Sequence, residues 1–313
     1  MKSILSFWLR LIISSPLILF LYFPFEYNLD YENYYPNYIY GYFTYDFLYE
    51  WLSFILREIF HLEFNIFWVT LLSSQLILFS LIYNRISILL IAYPSLITMS
   101  QFFYGTQIRY SIAALVLVYA TVIVKNNFYR LLLYISCSLF HYGIVIPLCL
   151  SIISKKIHSD FYNIRKLRSI CLALLIVLLF SFTLYFIEWF VSATRFSYYI
   201  GSNHYMTSKS PLSIVYISMM LILLLLTFTF NIETNTNLLT FGISLLFTCL
   251  LTSTIAVLSG RLLLIYFILE PLIIYYTIKN NKYHLISISI IILYLFRLLF
   301  YSYNANFYFF EII

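Results

Sequence analysis

Long apolar runs broken by short polar segments make up most of the chain. Runs of about 17–25 residues are long enough to cross a bilayer as helices. They fall at 7–24, 64–83, 86–103, 108–124, 170–190, 211–230, 238–258, 262–278 and 283–301. The pattern predicts an all-α polytopic integral membrane protein with about nine transmembrane helices in a single membrane domain, 1–313. No basic n-region followed by a short apolar core and a small-residue cleavage site opens the chain, so Phe7 to Phe23 reads as a retained first span.

The run 128–153 breaks the regularity. A single crossing there would put Lys125 and Arg130 on one side and Lys155, Lys156, Arg165, Lys166 and Arg168 on the other. Basic loops gather on the cytoplasmic face, so that arrangement is disfavoured. A re-entrant helical hairpin turning near His141-Tyr-Gly143 restores the asymmetry and keeps irregular backbone inside protein. Lys2, Arg85, Lys125, Arg130, the 155–168 cluster, Lys279 and Lys282 then all face inward.

This topology sends three isolated arginines outward: Arg109, Arg195 in the 191–210 loop, and Arg261 in a Ser-Gly-Arg turn. It also exposes the loop 25–63, which carries seven of the twelve acidic residues: Glu26, Asp30, Glu32, Asp46, Glu50, Glu58 and Glu63. Within it, Tyr45 to Phe60 sets Phe47, Leu48, Trp51, Ile55 and Ile59 against Asp46, Glu50, Arg57 and Glu58 at helical spacing. That periodicity predicts an amphipathic helix lying on or dipping into the outer interface.

Composition sharpens the class. The sequence is 63% hydrophobic and only 10% charged, against about 25% charged in soluble domains. The net charge of +6 is spread over short loops, so it reads as a topology signal and no nucleic-acid partner is expected. Cys137, Cys149, Cys171 and Cys249 lie in apolar runs without CxxC spacing, which predicts small core residues and neither disulfides nor a metal site.

The chemistry centres on Gln101-Phe-Phe-Tyr-Gly-Thr-Gln-Ile-Arg109, where an arginine sits between two apolar segments. A guanidinium in a membrane costs about 3 kcal/mol or more at the helix centre, and an anion is its natural partner. At a helix start the backbone N–H groups add to the attraction for phosphate. Arg109, Arg195 and Arg261 on one face suit a lipid-linked diphosphate.

A carboxylate or imidazole must then handle a proton. Glu50, beside Trp51, is favoured, because partial burial raises a carboxyl pKa. Asp30 and His141 remain alternatives. Arg10 and Arg297, near span ends, are expected to snorkel, with Arg297 the likelier exception. The dense run Tyr31, Tyr34, Tyr35, Tyr38, Tyr40, Tyr42 and Tyr45 offers ring faces for sugars.

These motifs together resemble the Wzy-type bacterial polysaccharide polymerases, in particular the EpsG-like branch. The resemblance rests on Asp30-x-x-x-Tyr34, Glu50, Ile108-Arg109 with Ser-Ile-Ala-Ala-Leu, Leu139-Phe-His141, Thr194-Arg195-Phe-Ser-Tyr-Tyr199 and Arg261-Leu-Leu-Leu-Ile-Tyr266-Phe. It departs where Tyr110 and Ser111 follow the Ile-Arg pair, and in the short 191–210 loop. The resemblance implies a GT-C-like fold in the bacterial inner membrane with its active site facing the periplasm.

It further implies transfer of a growing glycan from undecaprenyl diphosphate to a hydroxyl of the next lipid-linked repeat unit. In that reading Glu50, His141 and Asp30 are catalytic candidates, Arg109, Arg195 and Arg261 hold the diphosphate, and Tyr34 and Tyr199 contact glycan. No cofactor or metal is needed; membrane lipids, a chain-length regulator and a flippase are the partners implied. The rival functions are a flippase or exporter of lipid-linked oligosaccharide, an O-antigen ligase and a membrane acyltransferase. Transporters usually carry repeated halves and charges across the midplane, whereas here the charges gather at one face.

Overall fold

A computed structural model describes residues 2–22, 28, 30–161, 211–229, 236–253, 255–279 and 284–304. Every regular element among them is helical. The expected span 170–190 and the loop 191–210, with Arg195 and Tyr199, lie outside the described residues, as does Cys171.

The helices are α1 (Lys2–Ser14), α2 (Ile18–Leu21), α3 (Tyr31–Tyr40), α4 (Phe47–Phe54), α5 (Phe64–Ile82), α6 (Ile86–Thr98), α7 (Ile108–Val118), α8 (Asn127–Phe140), α9 (Val145–Phe161), α10 (Pro211–Thr229), α11 (Thr236–Leu251), α12 (Ala256–Lys279) and α13 (His284–Asn304). Among the described residues, four stretches, Ile4–Leu21, Phe64–Ile82, Val257–Lys279 and His284–Ser302, are long and apolar enough to cross a membrane. Shorter apolar helices fall at Ile86–Thr98, Ile108–Ile123, Tyr142–Lys155, Leu212–Phe228 and Asn237–Leu251.

The first of these stretches is continuous despite Pro16, which lacks the N–H that would bond Ile12. The Ser15 hydroxyl donates to that carbonyl instead, at 2.8 Å. The chain between α8 and α9 leaves helical geometry at His141 (φ −154°, ψ 111°), where the turn of 128–153 was expected. There the His141 Nδ1 accepts the Gly143 N–H at 3.1 Å and so caps the short 3₁₀ turn Tyr142–Ile144.

The chain divides into two compact units, residues 1–148 with 295–313, and residues 149–294. In the first, α7 is the central helix, with Ile108, Tyr110, Ser111, Ala113, Ala114, Leu115, Leu117 and Val118 all buried. Its far end is tied to α8 by Arg130, whose Nε donates to the carbonyls of Ala120 (3.2 Å) and Val124 (3.1 Å). Terminal helix carbonyls lack partners of their own, so a cation there satisfies both needs.

The same logic corrects the expectation for Arg10. Rather than snorkelling it is buried, its Nε donating to the Ser80 carbonyl near the end of α5 (2.9 Å) and its Nη1 to Ser6 Oγ (2.7 Å). Arg297 is buried as well, 1% exposed, and its Nη2 donates to Ser95 Oγ of α6 at 2.9 Å. Close by in sequence, the Phe102 and Tyr301 rings stack at 5.6 Å.

In the second unit α11 and α12 pack closely at Gly242, where an added Cβ would meet Ile273 Cδ1 at 3.0 Å. A small residue is what lets two membrane helices approach this far. Ser259 donates its hydroxyl to the Cys249 carbonyl at 2.6 Å across the turn between them. The Tyr216 hydroxyl of α10 donates to the fully buried Glu270 of α12. Cys137 and Cys249 are core residues as expected, whereas Cys149 is exposed on α9.

Candidate functional site

Arg109 owes its position to what precedes it. Beyond α6 the backbone widens into a π-helical turn, Ser100–Tyr104, and leaves regular helix through Gly105-Thr106-Gln107 before α7 begins. Where the helix stops, its last carbonyls have no partner within it. Two buried amides take them: Gln75 Nε2 donates to the Tyr104 carbonyl at 2.8 Å and Asn28 Nδ2 to the Gly105 carbonyl at 3.2 Å. Ser111 Oγ lies 3.2 Å from Gln75 Oε1, so α5 also holds the first turn of α7. Arg109 stands in that turn.

The aromatic segment between α2 and α5 folds over it. Tyr34 of α3 and Tyr45 and Tyr49 around α4 form an aromatic pocket whose walls also include Trp68, 5.4 Å from the Tyr34 ring, and Phe140, 6.0 Å from the Tyr49 ring. The Arg109 guanidinium carbon lies 3.9 Å from the Tyr45 ring centre, 5.3 Å from that of Tyr34 and 5.5 Å from that of Tyr49. Its Nε donates to Tyr34 Oη at 3.0 Å. Burial pushes the Tyr34 phenol up to about 12, against the opposing pull of Arg109, so this oxygen is neutral at physiological pH. Tyr45 is raised too, again mainly by burial.

The charge partner of Arg109 is Asp46, whose Oδ2 accepts from Nη1 at 2.6 Å. Asp46 begins α4, where an aspartate ordinarily caps its own helix. Here it makes no such cap. Instead Oδ1 accepts the Tyr142 N–H at 3.0 Å, and Oδ2 lies 3.8 Å from His141 Nδ1. One carboxylate therefore joins the start of α7 to the break after α8. The His141 ring packs edge-on against Tyr110, 5.2 Å away, the residue that follows Arg109.

Glu50 performs a different task. Its Oε1 accepts from Tyr45 N (2.8 Å), Asn37 Nδ2 (3.1 Å) and Thr44 N (3.2 Å). This closes the loop between α3 and α4 much as a capping-box acid satisfies the N–H groups ahead of a helix. Gly41 ends α3 with φ +68°, and a Cβ there would collide with the Arg57 guanidinium, 2.5 Å away.

The amphipathic helix is present but its faces are arranged unexpectedly. Asp46, Tyr49, Glu50 and Ser53 are buried, while Phe47 and Trp51 point outward, 52% and 45% exposed. Beyond α4 the chain continues as a π-helical turn, Ile55–Ile59.

Of the residues singled out from the sequence, Arg109, His141 and Tyr34 come together. Tyr34 is buried under Arg109; among the described side chains of its run the open rings are Tyr35, Tyr40 and Tyr42. Asp30 opens α3 with its carbonyl accepting the N–H groups of Asn33 (3.1 Å) and Tyr34 (3.0 Å), and its charge adds to the upward shift of the Tyr34 phenol. Arg261 lies on α12 in the second unit, half-buried. Asp46 was passed over, because nothing local separates it from the other acids of its loop. Tyr45 and Tyr49 as a cation-binding floor, and Gln75 as a support, were missed for the same reason.

The architecture is that of a helical membrane protein in which an aromatic segment covers an arginine at the head of a buried helix. The chain belongs to the EpsG family, whose model matches residues 8–312. That membership places it in membrane-bound polysaccharide biosynthesis. No curated protein and no solved structure matches it.

Proposed function

We propose that the chain is a glycosyltransferase that polymerises a bacterial surface polysaccharide from repeat units carried on undecaprenyl diphosphate. The observation that carries the reading is the Arg109–Asp46–His141 cluster, a guanidinium and an imidazole gathered around one carboxylate oxygen. Membership of the EpsG family supports a reaction of this class.

In this reaction Arg109 receives the diphosphate of the donor, with the tyrosine rings holding the guanidinium in place. The acceptor sugar oxygen bonds to the donor's anomeric carbon as its proton passes to His141. The bond from that carbon to the diphosphate breaks with its electron pair on oxygen, and arginine neutralises the charge that develops. A positioned base is commonly worth about 10²–10⁴-fold in rate. In this proposal Asp30 orients substrate, the buried Tyr34 holds Arg109 in place, and Glu50 shapes the loop that presents Asp46; the substrate-binding roles that the family resemblance implies for Arg195, Arg261 and Tyr199 belong to the same reading. The nine spans, the re-entrant 128–153 segment and an outward-facing site in the inner membrane complete the picture.

Deletion of the gene in its host, with complementation by wild type or Arg109→Ala, tests the reading. The polysaccharide ladder should collapse to a single repeat unit in the deletion and in the arginine variant at equal protein level. Accumulation of lipid-linked units on the cytoplasmic leaflet would instead identify a flippase.

A further inference from the structure

In this structure the acid that could support His141 is engaged elsewhere. Asp46 Oδ2 is 2.6 Å from Arg109 and 3.8 Å from His141 Nδ1. His141 Nδ1 meanwhile accepts the Gly143 N–H at 3.1 Å. A ring nitrogen that accepts an N–H carries no proton, so the proton of the neutral ring is on Nε2. In that tautomer Nε2 is a donor and cannot take a proton.

We propose that a diphosphate displaces Asp46 from Arg109, and that the released carboxylate then draws the ring proton to Nδ1 and leaves Nε2 as the base. The proposal rests on the diphosphate reading of Arg109 given above and adds the order of events. Three features favour the exchange. A diphosphate offers more charge and more acceptor oxygens to the guanidinium than one carboxylate oxygen does. The Tyr45, Tyr34 and Tyr49 rings hold the guanidinium independently of Asp46, so it stays in place when the partner changes. Asp46 is also anchored at its other oxygen by the Tyr142 N–H at 3.0 Å, one residue from His141, so a small rotation suffices to close the 3.8 Å gap.

No proton is gained or lost in the switch. The ring proton leaves Nε2 and returns at Nδ1 through solvent, and the Gly143 N–H bond gives way to a charge-assisted Nδ1–H to carboxylate bond, which is the stronger kind. Among the described residues, the groups around this switch include Arg109, Asp46 and His141, with the Tyr34, Tyr45, Tyr49 and Tyr110 phenols near them and Asp30 and Glu50 beyond. The consequence is that the base forms only when donor diphosphate is bound. Asp46 acts here as a positioning residue, through Arg109 and then through His141.

The experiment uses the full chain in lipid nanodiscs with inorganic pyrophosphate as probe. Asp46→Asn keeps an oxygen for the Tyr142 N–H but removes the competitor for Arg109. It should bind pyrophosphate about tenfold more tightly than wild type, yet elongate lipid-linked units about a hundredfold more slowly. A purely structural role predicts weaker binding along with slower turnover.

In ¹⁵N spectra the His141 ring, assigned by its loss in His141→Gln, should move from the Nε2–H to the Nδ1–H pattern on adding pyrophosphate to wild type but not to Asp46→Asn. Unchanged or weaker binding by Asp46→Asn, or an unchanged ring pattern in wild type, overturns the exchange. Pyrophosphate binding by Arg109→Ala equal to wild type overturns the diphosphate site itself, so the two failures are separable.

Discussion

The guanidinium carbon of Arg109 lies 3.9 Å from the centre of the Tyr45 ring, closer than to either neighbouring tyrosine. A planar cation stacks on such a face while its edge donates to Tyr34 and Asp46. An ammonium on a flexible stem offers a point charge but not the fork. Arg109→Lys should therefore recover little of the polymerisation lost in Arg109→Ala, with elongation at least about a hundredfold below wild type. Gel analysis of polysaccharide length at matched protein level checks it, and normal chains from the lysine variant would reduce Arg109 to an interfacial residue.

Glu50 presents one oxygen to three donors. A glutamine keeps an acceptor there, whereas alanine leaves one buried amide and two part-buried backbone N–H groups without it, at a cost of up to about 1–3 kcal/mol for the buried one. Glu50→Gln should elongate near the wild-type rate, and Glu50→Ala should lower the melting temperature and lose activity in parallel. A folded Glu50→Gln protein that binds pyrophosphate but cannot elongate would restore Glu50 as the base favoured on sequence grounds.

The Tyr34 phenol provides a pH-dependent contribution. Its pKa is raised from 10.0 to about 12 in the fold, chiefly by burial. Folding thus favours the protonated form, so this contribution is fully present below pH 10 and is lost as pH rises through about 12. Tyr34→Phe has no phenol to ionise. Its stability should decline less than that of wild type between those pH values, as followed by thermal unfolding in detergent. Parallel declines would remove Tyr34 as a buried titrating group.

The turn at His141 bears on topology. If 128–153 is re-entrant, single cysteines at Lys125 and Lys155, placed in a background lacking native cysteines, are labelled from the same cytoplasmic side by a membrane-impermeant maleimide. Labelling from opposite sides would make the segment a crossing and undo the shared outward face of Arg109, Arg195 and Arg261.

Much of this protein is written in local pattern. Apolar runs at 64–83 and 108–124 become helices because a bilayer leaves the backbone no other way to satisfy itself, and the break at His141 follows from a side chain that caps the next turn. Arg109 stood out because a cation there needs a partner. Which partner was decided only in three dimensions.

Asp46 and Glu50 share a loop, a charge and a helix face, and no one-dimensional rule says which reaches Arg109 and which closes the loop. The fold separates them by four residues of helix: Asp46 meets α7 and the turn after α8, while Glu50 meets the N–H groups of its own loop. Tertiary packing also turned the acids of α4 inward and its Phe47 and Trp51 outward, and drew Arg10 and Arg297 into the interior. Hydrophobicity ranks residues by their preference for water, but a buried charge is located by whichever carbonyl or carboxylate the fold brings within about 3 Å of it. That information belongs to contacts between residues far apart in the chain.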